Sequence, residues 1–190
     1  MAVTTPNNFN TNFATNEIGT ELFHYDETTK KVHYIAPIVE GADFTRDVEK
    51  IDTPELDIDY VPSMSGKATM PTAEYMFNYD VNRYKAVTTC VKANNRGTYI
   101  EAWSDGSGMV FTGDGSVGRT KGNPPQISAK INMGFMLWIE NLLSLTAEEV
   151  AKLQGVFTGA VLTALKPLPF DVASIPDGRI SHIKKNFPTV

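Results

Sequence analysis

The segment from Gly113 to Thr120 has the spacing of a phosphate-binding loop. Its sequence, GDGSVGRT, fits the pattern G-x-x-x-x-G-K-[ST] except that Arg119 replaces the lysine. Such a loop binds phosphates because a helix begins at its last residues and aims backbone N–H groups at the ligand. Here Lys121 to Pro125 follow, and their two prolines oppose a helix. We therefore predict a glycine-rich hairpin turn over 113–118, with Arg119 on its surface, and keep nucleotide binding as an alternative.

His24 and His33 could together begin a metal site. If residues 27–30 form the loop of a hairpin, the two histidines lie opposite each other on adjacent strands. Imidazole is a common zinc ligand, but the sequence places no third ligand beside this pair. The pattern favours a cross-strand pair on a half-exposed sheet.

The remaining candidates for chemistry also favour a structural interpretation. Asp57 and Asp59 alternate with Ile58, yet the glycine and the closing glutamate of a calcium loop are missing. Cys90 falls beside an apolar helix stripe, which predicts a buried small residue. We therefore predict no catalytic, cofactor-binding or metal-binding residues, and a protein that is not an enzyme.

Negative charge is concentrated between residues 40 and 60. Eight acids stand there against Arg46 and Lys50, a local charge of −6, whereas the whole chain has a formal charge of −5. A surface of this kind repels polyanions or attracts a basic partner. The acids are Glu40, Asp43, Asp47, Glu49, Asp52, Glu55, Asp57 and Asp59.

Length and composition fit a soluble globular protein. The chain has 190 residues, 42% of them hydrophobic, which suits one domain or one domain with an appendage. Its single cysteine forms no internal disulfide, and its first residues show no secretory signal, so we expect production in a cytoplasm. The apolar stretch from Leu153 to Leu165 is shorter than the ~20 residues that span a bilayer. We expect neither a membrane partner nor a basic patch for nucleic acid.

The first half of the chain predicts an arm, a hairpin, a strand and a long loop. Residues 1–19 are rich in Asn and Thr and predict an arm that orders on a neighbour. Two apolar runs around residues 26–31 predict a hairpin, and a strand follows from Ile38 to Asp47, with a bulge at Gly41. The proline-marked segment 50–71 predicts a long loop that needs a surface to lie on.

The second half predicts more strands and two helices. Residues 72–80 alternate as a strand, and Asp80 caps a helix over 81–94 with Val81, Tyr84, Val87 and Val91 on one stripe. Strands are predicted over 98–103, 108–112 and 125–135. This order predicts an α+β domain, mainly β and mostly antiparallel, over residues 20–140. Over 141–190, a capping box at Thr146–Glu149 opens a helix towards Leu165, and a proline-rich extended tail follows.

The order and spacing of these elements resemble the tail tube protein of long-tailed, siphovirus-like bacteriophages over residues 20–135. The segments that carry the resemblance are Ile38–Phe44 (IVEGADF), Ile51–Gly66 (IDTPELDIDYVPSMSG), Glu74–Tyr79 (EYMFNY), the helix from Val81, and Gln126–Met133 (QISAKINM). The helix and tail after residue 140 depart from the minimal pattern of that family.

The resemblance implies an antiparallel β-sandwich or barrel-like fold with a flanking helix, a long loop and a C-terminal extension. It implies a structural virion protein that assembles with itself into hexameric rings, stacked into a tube for DNA ejection. Its partners would be other copies, other phage tail proteins, and phage DNA passing through without sequence-specific binding. Assembly would occur in the host cytoplasm. The alternatives are another self-assembling virion protein, such as a capsid decoration or tail-end subunit, and a nucleotide-binding protein.

Two groups of residues follow from the tail tube interpretation. The strand from Val39 to Asp47 would line the channel, with acidic Glu40, Asp43 and Asp47 brought to one side by the bulge at Gly41. The long loop would contact the neighbouring subunit or ring. Its predicted interface residues are Ile51, Pro54, Leu56, Ile58, Tyr60, Val61, Met64 and Lys67.

Overall fold

The structure, a computed structural model, describes residues 19–45, 47–52 and 63–188, and for 47–52 and 63–68 it describes the backbone alone. The predicted arm over 1–19 therefore lies outside the described residues except for Gly19. The same holds for the middle of the predicted loop, residues 53–62.

The chain is mainly β, as predicted, and its strands form an antiparallel six-stranded sheet and a two-stranded sheet. The larger sheet has the order β2-β1-β6-β7-β8-β5, and the smaller one pairs β3 with β4. The strands are β1 (Glu21–Asp26), β2 (Lys31–Pro37), β3 (Asp47–Asp52), β4 (Ser63–Thr69), β5 (Thr72–Asn78), β6 (Gly97–Ala102), β7 (Gly108–Thr120) and β8 (Gln126–Ile139). The helices are α1 (Val81–Cys90), α2 (Ala147–Leu153), α3 (His182–Asn186) and a short 3-10 helix (Val172–Ser174).

The chain divides into two compact units. The first contains the described residues 19–38, 98–110 and 137–188, and the second contains 39–97 and 111–136 within the described ranges. The first therefore holds the β1–β2 hairpin and the C-terminal helices. The second holds α1, β5 and most of β7 and β8.

The first hairpin forms where the sequence predicts it. Strands β1 and β2 pair antiparallel, and residues 27–30 make the connecting turn. Asp26 shapes the turn because its carboxylate accepts hydrogen bonds from the Thr28 amide and the Thr29 hydroxyl. In the same unit, Thr146 and Glu149 make the predicted capping box at the start of α2.

The first unit buries apolar residues from its strands and from its C-terminal part. Phe23 and Tyr25 on β1 are buried, and their rings pack edge-on against Phe170 and Phe157 at centroid distances of 5.1 and 4.9 Å. Residues after position 140 therefore help to build this core.

The second unit has a core of aromatic residues and α1. Tyr75 on β5 stacks against Phe77 and Phe111, and all three rings are fully buried. Helix α1 starts at the predicted N-cap, where Asp80 accepts hydrogen bonds from the amides of residues 82 and 83. It buries Val87, and Val91 is buried just beyond its end.

Two predicted elements are shorter than expected. Helix α1 ends at Cys90 and not at residue 94. Just before this end, the hydroxyls of Thr88 and Thr89 donate hydrogen bonds to backbone carbonyls of the preceding turn. Val81, placed on the apolar stripe by the sequence, is exposed. Helix α2 ends at Leu153 and not near Leu165, because turns begin beside Gly155.

The predicted strand from Ile38 to Asp47 is wrong. Among the described residues from 38 to 45, the strand structure consists of a single-residue bridge between Glu40 and Met76, and residues 41–45 have none; Asp47 instead begins β3. The Asp43 side chain accepts hydrogen bonds from the Thr45 amide and hydroxyl, at 2.8 and 2.6 Å. This local Asx turn competes with strand pairing.

Two other segments are more ordered than predicted. The segment 50–71 was predicted as a loop, but it contains the end of β3 and all of β4. The tail after Lys166 was predicted to be extended, but it contains the 3-10 helix, α3 and a parallel bridge from Phe170 to Val32.

Candidate functional site

Strands β5 and β8 give the second unit one apolar face and one polar face. Alternate residues on β5 (Ala73, Tyr75, Phe77) and β8 (Ile127, Ala129, Ile131) are buried. The other face presents the register partners Thr72 and Asn132, Glu74 and Lys130, and Met76 and Ser128. Because side chains alternate strictly along a strand, this register fixes the polar set.

Glu74 and Lys130 form an ion pair on this polar face. The Lys130 Nζ lies 2.5 Å from a Glu74 carboxylate oxygen, and both side chains are more than half exposed. An exposed pair of this kind adds ~0–1 kcal/mol to stability. Its main effect is to neutralise the single lysine of the face.

A cleft of about 480 Å³ lies beside this ion pair. Its lining residues are Glu40, Gly41, Asp43, Thr72, Glu74, Tyr75, Met76, Ser128, Ala129 and Lys130. The bridge to β5 fixes Glu40, since its carbonyl accepts from the Met76 amide at 3.1 Å and the Val39 amide donates to the Met76 carbonyl at 2.9 Å.

The carboxylate of Asp43 is held in its charged form. The hydrogen bond from the Thr45 hydroxyl, followed by the one from its backbone N–H, keeps the pKa of Asp43 below its usual range. Among the described lining residues, Lys130 is the only cation and is paired with Glu74. Glu40 and Asp43 therefore leave the cleft with excess negative charge.

A second cleft of about 420 Å³ adjoins the first and shares Thr72, Glu74 and Lys130 with it. Its other lining residues are Ala93, Asp114, Gly115, Ser116 and Asn132. Hydroxyl, amide and carboxylate groups therefore continue across β5, β8 and β7. Counting Glu40, Asp43, Glu74 and Asp114 against Lys130, the described residues of the two clefts have a net charge of −3.

The described linings of the two clefts offer carboxylates, hydroxyls and amides. Neither described lining contains histidine or cysteine. Within the described ranges, no three His, Cys, Asp or Glu side chains are grouped so as to hold a metal ion. The net negative charge of the described cleft residues repels polyanions.

The predicted channel residues are only partly brought together. Glu40 and Asp43 line the same cleft, and an irregular segment and not a strand places them there. Asp47 begins β3, and its side chain lies outside the described part. The sequence analysis missed Glu74 and Lys130, which the alternation of β5 and β8 could have indicated, and Asp114 on β7, which it had placed in a turn.

The predicted interface loop is only partly described. Ile51 on β3 is the register partner of Met64 on β4, and Lys67 also lies on β4. The other predicted interface residues lie outside the described part of the chain: Pro54, Leu56, Ile58, Tyr60 and Val61.

The phosphate-loop pattern lies inside strand β7, so the predicted hairpin turn over 113–118 is wrong. The chain turns later, between β7 and β8. Gly113 and Gly115 face the backbone of β8, and a Cβ at either one would overlap a carbonyl oxygen there. Arg119 lies over the ring of Tyr79, 4.1 Å from its centroid. The glycines therefore serve close packing between strands, and no helix follows to bind phosphate.

The histidine pair forms as predicted, since His24 and His33 are register partners on β1 and β2. His24 packs against Tyr99, with centroids 5.3 Å apart. His33 places Nδ1 3.1 Å from the Asp171 carboxylate and Nε2 2.8 Å from the Thr29 hydroxyl. The cysteine is less buried than predicted, because Cys90 is only half-buried.

Glu21 is a buried acid in the first unit that the sequence analysis did not single out. Its side chain is 2% exposed, and the Ser181 hydroxyl donates to one carboxylate oxygen at 2.6 Å. The other oxygen has no hydrogen-bond partner among the described residues. Burial raises the pKa of Glu21 to about 7, although the Ser181 hydrogen bond and Arg179 act in the opposite direction.

No protein-family profile matches the chain, and no curated protein sequence matches it. In the described residues, no helix combines the length and apolar character needed to cross a bilayer.

Proposed function

We propose that this protein is the structural subunit of a bacteriophage tail tube, which assembles into stacked hexameric rings around a DNA channel. The proposal starts from the resemblance of residues 20–135 to that family. The observation that supports it best is the edge strand β5, whose outward backbone groups at Thr72 and Glu74 have no partner among the described residues, beside a polar sheet face of negative charge.

The outer edge of β5 supports assembly through backbone pairing. Met76 N–H and C=O point away from β8, since they bond to Glu40 and Val39. Glu74 and Thr72 stand two and four residues earlier in the same register, so their backbone groups point outward as well. No described residue bonds to them on that side. An open edge of this kind pairs with another chain.

The polar face next to that edge supports a role in lining a DNA channel. Its described cleft residues have a net charge of −3, and its one lysine is neutralised by Glu74. Phosphates bind to clustered lysine and arginine, so a face of this composition lets DNA slide past. In a ring, every subunit would contribute the same carboxylates, so the negative charge would be repeated around the channel.

Negative-stain electron microscopy of concentrated protein tests the proposal. We expect rings and rods with a central channel. Glu74→Pro should abolish them, because proline removes an outward N–H at a position where an edge strand tolerates it. Glu74→Gln also loses the ion pair but keeps the N–H, so it should assemble normally.

Two results would refute different parts of the proposal. If the unaltered protein forms neither rings nor rods, it is not a tube subunit. If Glu74→Pro assembles as well as Glu74→Gln, the β5 edge is not the joint between subunits.

A further inference from the structure

The edge of β2, at the other end of the six-stranded order, is occupied by the C-terminal part of the same chain. Val32 and Phe170 form a parallel bridge. The Val32 amide donates to the Pro169 carbonyl, and the Asp171 amide donates to the Val32 carbonyl, both at 2.8 Å. Residues 168–174, which we name the edge segment, thus pair with β2 as an added strand would.

Side-chain contacts extend this pairing beyond the bridge, towards the C-terminal end of β2. The Tyr34 amide, two residues along β2, donates to the Ser174 hydroxyl at 2.9 Å. That hydroxyl donates in turn to the Asp171 carbonyl at 2.6 Å. The Asp171 carboxylate reaches the ring of His33 at 3.1 Å. Two successive outward amides of β2 are therefore satisfied within the chain.

Apolar anchors hold the edge segment in place. Leu168 is fully buried and Phe170 is 6% exposed, and the Phe170 ring packs edge-on against Phe23 and Phe187. The Leu168 amide also donates to the Leu142 carbonyl at 3.1 Å. Because the anchors fix the backbone on both sides of Pro169, the edge segment is positioned before any partner approaches.

We propose that the edge segment plugs the β2 edge against a strand from a second copy of this chain. Backbone pairing between copies is then restricted to the β5 edge, where Val39 and Glu40 cover Met76 alone and no described residue bonds to the outward backbone groups of Thr72 and Glu74. The two terminal strands of the six-stranded order thus differ: β2 is covered by the chain itself at Val32 and Tyr34, whereas β5 is covered only at Met76 among the described residues. The proposal does not depend on a tail tube, since any exposed strand edge can pair with another chain.

The test opens the β2 edge while β5 is blocked. In a Glu74→Pro background, Asp171→Pro removes the amide that bonds to Val32, and Ser174→Ala removes the acceptor for Tyr34. Asp171 has φ −85°, which is close to the value that proline requires. The matched control combines Asp171→Asn and Ser174→Thr in the same background, because these changes keep the amide and the hydroxyl.

Sedimentation velocity over a concentration series should then show dimers for the Pro/Ala combination and monomers for the control. Hydrogen exchange should show faster exchange at the Tyr34 amide of the Pro/Ala combination at low concentration, and slower exchange once it dimerises. If the Tyr34 amide exchanges faster but the protein stays monomeric, the open edge does not associate and the proposal is overturned. It is also overturned if the Tyr34 amide stays protected, because these contacts then do not close the edge.

A second measurement needs no change in the edge segment. In the Glu74→Pro protein, the amides of Val32 and Tyr34 should exchange at least about tenfold more slowly than the outward amide of Thr72 on β5. Equal exchange at the two edges would overturn the proposal even if the Pro/Ala combination failed to fold.

Discussion

Gly115 on β7 and Lys130 on β8 lie so close that a Cβ on the glycine would overlap the lysine carbonyl oxygen. The overlapping atom is backbone, so it cannot move aside as the end of a flexible side chain could. Gly115 also donates its amide to the Lys92 carbonyl at 3.1 Å, just after α1. The glycine therefore joins β7 both to β8 and to the segment that follows the helix.

Substituting Gly115 by alanine should destabilise the protein by about 1–3 kcal/mol, the usual cost of overpacking. Urea denaturation followed by circular dichroism measures the change. The control is Gly155→Ala, because nothing lies within 4 Å of a Cβ there, and its effect should stay within about 0.5 kcal/mol. Equal stabilities of the two variants would contradict the close packing of β7 and β8.

Glu21 should make the stability of the protein depend on pH. Its pKa rises from an ordinary 4.5 to about 7 in the folded protein. Between these values the folded state binds more protons than the unfolded state, so the free energy of unfolding falls as pH rises from about 4.5 to 7. The destabilisation caused by burying the charged Glu21 carboxylate is fully present above pH 7 and absent below about pH 4.5.

Glu21→Gln should remove this dependence, since the amide is neutral and its oxygen can still accept from Ser181. The variant should be more stable than the unaltered protein at pH 8, by roughly 2 kcal/mol, and the difference should shrink towards pH 4.5. Thermal denaturation at several pH values measures it, with exposed Glu27→Gln as the control. A constant difference across this range would exclude Glu21 as the cause.

Arg119 and Tyr79 should contribute a small coupled stabilisation. The guanidinium lies 4.1 Å from the ring centroid, and such contacts add about 0.5–1 kcal/mol at exposed sites. A double-mutant cycle with Arg119→Ala and Tyr79→Leu should recover a coupling energy of this size. Additive effects of the two substitutions would show that the guanidinium and the ring do not stabilise each other.

The segment 113–120 should not bind nucleotides, because it is a strand. Calorimetry should therefore detect no magnesium-dependent ATP or GTP binding. Micromolar nucleotide binding would restore the phosphate-loop alternative.

The sequence predicts most reliably the features that a few neighbouring residues determine. The turn at Asp26, the N-cap at Asp80 and the capping box at Thr146 each need only side chains within three residues of the backbone groups that they satisfy. These elements begin where the sequence predicts them.

Features that depend on distant residues could not be found in this way. Glycines at 113 and 115 suit a turn as well as a tight strand contact, and only the approach of β8 decides between the two. The polar face also depends on distant residues, because the register of β5 and β8 brings Glu74 and Lys130 together. Residues 168–174 belong to a proline-marked stretch that predicts an extended tail, whereas β2 pairing and the buried Phe170 fix their conformation.

The last prediction concerns the charge of the polar face. Replacing Glu40, Asp43 and Glu74 by lysine changes the net charge of the described cleft residues from −3 to +3. Glu74 is included because it lines both clefts. Clustered lysines bind phosphates by releasing counterions, so the variant should bind duplex DNA of any sequence, with affinity that falls steeply as salt rises.

The matched control is Glu27→Lys, Glu140→Lys and Glu148→Lys, which makes the same charge change at exposed positions of the first unit. Fluorescence anisotropy with a labelled duplex should show at least about tenfold tighter binding for the cleft variant than for the control at equal salt. In the tail tube interpretation, tubes of the cleft variant should still form, because the changed side chains face the channel, but DNA should be retained in them. Equal DNA binding by the two variants would mean that total charge alone matters. Failure of the cleft variant to assemble, with the control assembling normally, would place these residues at a joint between subunits and not in a channel.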